Sequence, residues 1–199
     1  AAIATGFALA VVHPTAGNIG GGGFMIIRFP DGATTALDFR EKAPLAAYPE
    51  MFLDESGEYS RDLHHNSHRA VGVPGTVAGF ALAHERYGSG DWGRLVSSAV
   101  HLADEGFHLS EGLAGSFQNA VRSMESYPAS LDKFTKDGEP YQAGDLWVQP
   151  ELARTLQRIR DQGRNGFYMG ETARLIAEEM ERGGGMITEE DLALYEAQE

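Results

Sequence analysis

The sequence predicts an α+β fold, mostly helical with an early β-hairpin, and three observations carry that expectation. Apolar residues recur at helical spacing through most of the chain, whereas Phe24 to Phe39 shows two apolar runs about a Pro30-Asp31-Gly32 turn. With 199 residues, 42% of them hydrophobic, the chain can bury a sizeable core, and it reads as a single domain over residues 1–199.

The opening segment places Ile3, Phe7, Ala10 and Val11 at helical spacing with small residues between them, as in a helix packed on several sides. It has no start Met or basic flank, which favours a buried helix whose beginning has been cut away over a secretion signal. His13-Pro14 ends it. Four consecutive glycines follow, Gly20 to Gly23, between this segment and an apolar run. Glycine is costly to order, so the run implies a turn needing positive φ or a second segment that comes very close to the backbone.

Phe24 to Phe29 is apolar apart from Arg28, and Thr34 to Phe39 returns after the turn, giving a hairpin buried on at least one face. From Ala43 to Arg69 prolines and charges indicate a long surface excursion without regular structure. Order resumes at Ala70-Val71-Gly72-Val73-Pro74-Gly75-Thr76, and Val77, Phe80, Ala81 and Tyr87 form a helical face that stops at Gly88. Leu95, Ala99, Leu102 and Ala103 mark a second helix ending at Gly106, and Leu113, Phe117, Ala120, Val121 and Met124 a third.

Asp137 to Asp145 reads as a turn-rich connection. Beyond it, Leu152, Leu156 and Ile159 and then Ala173, Ile176, Ala177 and Met180 define further helices near Gly163 and Gly183. Thr188-Glu189-Glu190-Asp191 resembles a capping box opening one more.

Composition excludes several classes of function. A formal net charge of -13 repels phosphate backbones and anionic lipid, so nucleic acid is not an expected partner. The absence of cysteine removes disulfides, thiolate metal sites and thiol nucleophiles. No run reaches the roughly 18 apolar residues of a membrane helix.

Motifs narrow the field further. The glycine run leads into a strand with no Lys-Ser or Lys-Thr after it, the reverse of a phosphate loop. His64 and His68 would share a face in a helix, but nothing in the sequence supports a helix there, and no acidic or cysteine partner is spaced to complete a metal site. His84-Glu85 begins like a zinc-protease helix, yet Gly88 stands where the second ligand belongs. No Gly-x-Ser-x-Gly elbow occurs, and Ala1 has no hydroxyl or thiol to act as an N-terminal nucleophile.

Arg40 is the residue that chemistry selects. It follows an apolar strand beside Asp38, Glu41 and Lys42, and its planar fork of donors suits a substrate carboxylate. From spacing alone an ordinary salt bridge to Asp38, Glu41 or a partner further away is the favoured reading.

These runs together resemble the large subunit of gamma-glutamyltranspeptidases. The likeness rests on Ala4 to Val11 with His13-Pro14, on Asn18-Ile19-Gly20-Gly21-Gly22-Gly23-Phe24, and on Leu37-Asp38-Phe39-Arg40-Glu41-Lys42-Ala43-Pro44. It continues through Ala70 to Gly79, Ala83 to Gly88, Ala103 to Phe107, Gly166 to Gly170 and Gly184 to Tyr195, nearly the whole chain in the family's order.

The resemblance implies an N-terminal-nucleophile hydrolase fold, an αββα sandwich assembled from two subunits made by self-cleavage. It implies that a threonine at the new N-terminus of the small subunit attacks the γ-glutamyl amide of glutathione or a related compound, with water or an amino acid as acceptor and no cofactor. Carried over by motif, Arg40 grips the α-carboxylate of the glutamyl group and Glu41 helps shape that pocket. The approach to the glycines is then expected from the small-subunit sheet or the pocket it completes. The catalytic positions lie in the small subunit, so this chain reads as a large-subunit fragment without activity of its own. A periplasmic or extracellular location is implied by the family alone. Rivals are a cephalosporin acylase or capsule transpeptidase of the same fold, and a non-catalytic truncated paralogue.

Overall fold

A computed structural model describes residues 1–199. In chain order the elements are α1 (Ala2–Val12), β1 (Phe24–Arg28), β2 (Thr34–Asp38), α2 (Arg61–His65), α3 (Thr76–Tyr87), α4 (Trp92–Asp104), β3 (Phe107–His108), α5 (Glu111–Val121), α6 (Pro128–Phe134), β4 (Thr135–Lys136), β5 (Glu139–Pro140), β6 (Leu146–Trp147), α7 (Pro150–Gln162), α8 (Asn165–Tyr168), α9 (Gly170–Gly183) and α10 (Glu189–Leu194). Helices dominate, and each sheet is a two-stranded ladder: β1-β2, β3-β6 and β4-β5. The chain divides into two compact units, one of residues 1–17 and 94–157, the other of 18–93 and 158–199.

In the first unit α1 buries Ile3, Phe7, Ala10 and Val11, the stripe its spacing predicts. Gly17 then turns back so tightly that a Cβ there would lie 2.1 Å from the Leu9 carbonyl oxygen. A separate aromatic core gathers Leu109, Ala114, Phe117 and Trp147, with Phe107, Leu113, Phe134 and Tyr141 packed around it. The Phe117 ring meets Trp147 edge-on at 4.7 Å and Phe134 at 5.0 Å, the arrangement the ring quadrupoles favour. The Trp147 indole N–H donates to the Lys133 carbonyl at 3.0 Å, so its polar edge is satisfied despite burial.

In the second unit β1 and β2 pair antiparallel with Ile26 opposite Ala36. Met25, Ile27 and Leu37 face inward, while Phe24 and Ile26 face solvent. Beyond the ladder Phe39 continues the pairing, its N–H donating to Gly23 at 3.0 Å and its carbonyl accepting from the Gly23 N–H at 3.3 Å. Against this segment lie the residues leading into α3 and its first turn, with Val73 through Gly79 buried. The Trp92 indole N–H donates to the Ile159 carbonyl at 2.8 Å.

Local chemistry explains where the structure departs from the sequence reading. The excursion after Ala43 contains α2, which Ser60 caps by accepting from the Leu63 N–H at 3.2 Å. The expectation that the His64 region lacks a helix is therefore corrected. The turn-rich stretch is a small hairpin, with Asp137 and Gly138 at φ 54° and 86°, the paired positive angles of a tight β-turn. Strands are not confined to the early chain, since β3 to β6 add short ladders later. The Thr188–Asp191 capping box forms as expected.

Candidate functional site

The site is built around the turn from β2 into Arg40, inside the second unit. Two glycine-bearing segments make room for it. A Cβ on Gly22 would lie 2.5 Å from the Phe39 carbonyl oxygen and 2.9 Å from the Arg40 Cα. On the other side a Cβ on Gly75 would lie 2.0 Å from the same oxygen, and one on Gly79 would lie 2.1 Å from the Phe39 ring. Only glycine permits the Phe39–Glu41 backbone to pass between them.

Within this chain the element that approaches the glycine run at Gly22 and Gly23 is the Phe39–Glu41 segment, the turn that carries Arg40. Gly20 meets nothing within 4 Å, and Gly21 meets the side chain of Asn18. Asn18 accepts from the Gly21 N–H at 2.9 Å and from the Thr76 hydroxyl at 2.8 Å. The Gly21 carbonyl accepts from the N–H groups of Gly75 and Thr76 at 2.7 and 3.0 Å. The glycine loop is thereby tied to the first turn of α3, whose leading N–H groups have no partners inside the helix.

Arg40 is held by its backbone and free at its head. Its N–H donates to Asp38 Oδ1 at 2.9 Å, and its carbonyl accepts from the Tyr195 hydroxyl at 2.7 Å. The side chain is exposed and forms no ion pair. The ordinary salt bridge to Asp38 or Glu41 is thus not formed. Glu41 is also exposed, with its Cβ close to where a Cβ on Gly72 would sit, 2.9 Å away. Lys42 pairs by its backbone with Val73, and its ammonium donates to the Glu196 carbonyl at 2.7 Å.

Beneath the turn lie two tyrosines. Tyr195 is 2% exposed and stacks on Tyr168 with ring centres 5.7 Å apart. Burial, aided by the negative charges of Asp38 and Glu41, pushes the Tyr195 phenol up to about 12. The Tyr168 hydroxyl donates to the Pro74 carbonyl at 2.8 Å and accepts from the Ala78 N–H at 3.2 Å. Burial pushes the Tyr168 phenol up as well.

The histidines singled out by motif have structural partners. His64 Nδ1 lies 2.8 Å from the Tyr59 hydroxyl, and its ring sits 4.4 Å from that of Phe52. His68 Nε2 lies 2.9 Å from Glu179 Oε1. Hydrogen bonds from Arg182 and then His68 push the Glu179 carboxyl down to about 2. His84 Nε2 donates to the Gly90 carbonyl at 2.7 Å.

Sequence reasoning selected Arg40 but not its supports. Gly75 and Gly79 stand one helical turn apart, a spacing that could have flagged a close approach at the start of α3. Nothing in the sequence joins Tyr195 to Arg40, because 155 positions separate them.

A sequence description of gamma-glutamyltranspeptidase matches residues 1–199. The chain is 47% identical over 200 residues to the glutathione hydrolase proenzyme of Escherichia coli K12, covering 100% of this chain and 34% of that protein. It therefore spans about a third of the length of such relatives. The crystal structure of Helicobacter pylori gamma-glutamyltranspeptidase superposes with a TM-score of 0.96 at 47% identity, over 99% of this chain and 57% of that one. A cephalosporin acylase from Bacillus halodurans superposes with a TM-score of 0.84 at 27% identity, over 99% of this chain and 37% of that one. These neighbours place the α+β fold among the N-terminal-nucleophile hydrolases.

Proposed function

The chain belongs to the gamma-glutamyltranspeptidase family, and from that premise we propose that it forms the substrate-gripping part of a γ-glutamyl transferase or glutathione hydrolase. Arg40 takes the α-carboxylate of the glutamyl group in a two-pronged hydrogen-bonded pair, and Glu41 shapes the same pocket. The nucleophile is a threonine at the N-terminus of a small subunit cut from the same precursor. Its hydroxyl oxygen attacks the γ-carbonyl carbon while its own α-amine takes the proton. Collapse of the tetrahedral intermediate breaks the amide C–N bond, and the departing amine takes that proton. Water or an amino acid then attacks the resulting ester, releasing glutamate or a new γ-glutamyl amide.

One observation carries the reading: the Arg40 guanidinium is exposed and unpaired on a backbone held at both its N–H and its carbonyl. A structural arginine beside Asp38 and Glu41 would be expected to pair with one of them. On the intact heterodimer, calorimetry with glutamate should show Arg40→Ala losing about 2 to 5 kcal/mol of binding, the scale for removing one partner of a desolvated charge pair. Unchanged affinity would remove Arg40 from the pocket.

The chemistry is assigned to residues outside these 199. Assayed alone with γ-glutamyl-p-nitroanilide, this chain should give no turnover, and turnover abolished by Arg40→Ala would overturn the division of labour. The acylase neighbour supports a second reading, in which Arg40 grips the carboxylate of another acyl group. Comparing glutathione with a glutaryl amide on the complete enzyme separates the two, since only the first presents an α-amino carboxylate.

A further inference from the structure

We propose that Tyr195 is a positioning residue for Arg40, fixing through one hydrogen bond the direction in which the guanidinium meets a substrate carboxylate. The inference rests on the reading of Arg40 as the carboxylate grip. Tyr195 touches no reacting atom in this scheme, and its whole effect passes through the Arg40 main chain.

The geometry behind the inference is local to the turn. The β1-β2 ladder ends at Asp38, and the Phe39–Gly23 pair is the last antiparallel link before Arg40. Between that link and the Lys42–Val73 backbone pair, the Arg40 N–H and carbonyl have no strand partner and need holders of their own. Asp38 Oδ1 holds the Arg40 N–H at 2.9 Å, and the Tyr195 hydroxyl holds the Arg40 carbonyl at 2.7 Å. With both groups fixed, the Cα–Cβ direction of Arg40 is set and only its side-chain torsions remain.

Tyr195 is itself immobilised, as a positioning group must be. Its ring lies nearly parallel to that of Tyr168, with an interplanar angle of 11°, and the Lys42 ammonium sits 5.0 Å from its centre. Tyr168 is pinned in turn by Pro74 and Ala78. The chain leaves room for the contact by omitting a side chain at Gly75, where a Cβ would fall 2.2 Å from the Tyr195 hydroxyl oxygen. Burial and the adjacent carboxylates keep the phenol protonated, so the donor persists throughout neutral pH.

The grip is made to a part of the substrate that does not react. Mis-setting it weakens ground state and transition state alike, which raises KM and leaves kcat unchanged. Losing the one hydrogen bond that sets such an anchor carries a penalty of up to about tenfold in binding.

The test uses the complete, processed enzyme and γ-glutamyl-p-nitroanilide, comparing Tyr195→Phe with Arg40→Ala and with the double variant. Tyr195→Phe should raise KM about tenfold with kcat within about twofold of the parent, and 4-aminophenylalanine at 195, which restores a donor, should return KM toward the parent value. In the Arg40→Ala background Tyr195→Phe should change KM by less than about twofold, because nothing remains to position. Should Tyr195→Phe not accumulate folded, 4-methylphenylalanine fills the same volume without a donor and takes its place. A parent-like KM in Tyr195→Phe, a fall in kcat at constant KM, or an undiminished effect in the Arg40→Ala background each overturns the inference. If Arg40→Ala itself leaves KM unchanged, the reading of Arg40 fails instead, and the two failures are distinct.

Discussion

At the scale of single residues, the glycines separate into those that admit a neighbour and those that do not. Gly75 sits where a Cβ would strike the Phe39 carbonyl and the Tyr195 hydroxyl, whereas Gly20 faces open space at a φ that other residues adopt. Gly75→Ala should therefore destabilise the complete protein by about 1 to 3 kcal/mol through overpacking. Gly20→Ala should stabilise it by about 0.4 to 1 kcal/mol by narrowing the unfolded ensemble. Denaturant melts of both variants check this, and equal shifts would show that glycine is needed for flexibility rather than space. The sequence made the run conspicuous but could not rank its members, because the obstacle at Gly22 and Gly75 comes from residues distant in the chain. Arg40 was legible as a chemical group at a strand end. Its freedom from Asp38 and Glu41 was not, since spacing alone allows both geometries.

At the scale of elements, legibility followed the strength of local signals. Helices α1, α3, α4, α7 and α9 announced themselves by apolar spacing over 11 to 14 residues. Helix α2 and the two-residue strands did not, being too short for any periodicity to register. Helix α10 is the exception, because six residues are specified by a cap. Its Asp191 is 5% exposed and accepts from the Thr188 N–H at 2.8 Å, the Thr188 hydroxyl at 2.7 Å and the Leu45 N–H at 2.6 Å. Burial alone would raise its pKa, but these bonds together outweigh it and hold the carboxyl below the ordinary 3.8. A depressed carboxylate contributes stability above its unfolded pKa and loses it as pH falls through the folded one. Asp191→Ala should accordingly cost about 2 to 4 kcal/mol near neutrality, the scale for buried charge-assisted bonds, and less near pH ~3. A gap between variant and parent that stays constant with pH would remove the charge from the account.

At the scale of the whole molecule, the hairpin carries apolar residues on both of its faces. The run Phe24-Met25-Ile26-Ile27 is apolar at successive positions, the pattern of a strand covered on both faces rather than one. In the structure Met25 and Ile27 turn inward, while Phe24 and Ile26 are 63% and 79% exposed. Apolar residues side by side on an open sheet face mark a surface meant to be covered. The chain spans 34% of its Escherichia coli relative, a glutathione hydrolase proenzyme. Under the function proposed above, the small subunit is the cover this face would take. Ile26→Lys, made in the full-length precursor, should then leave folding of the large-subunit portion within about 0.5 kcal/mol of the parent, as for other exposed positions. It should at the same time reduce the fraction recovered as assembled heterodimer on size-exclusion chromatography, because a lysine ammonium would be desolvated without a partner. Full assembly with lysine at 26 would leave the outer face of β1 without a function and return the double-faced apolar run to an accident of composition.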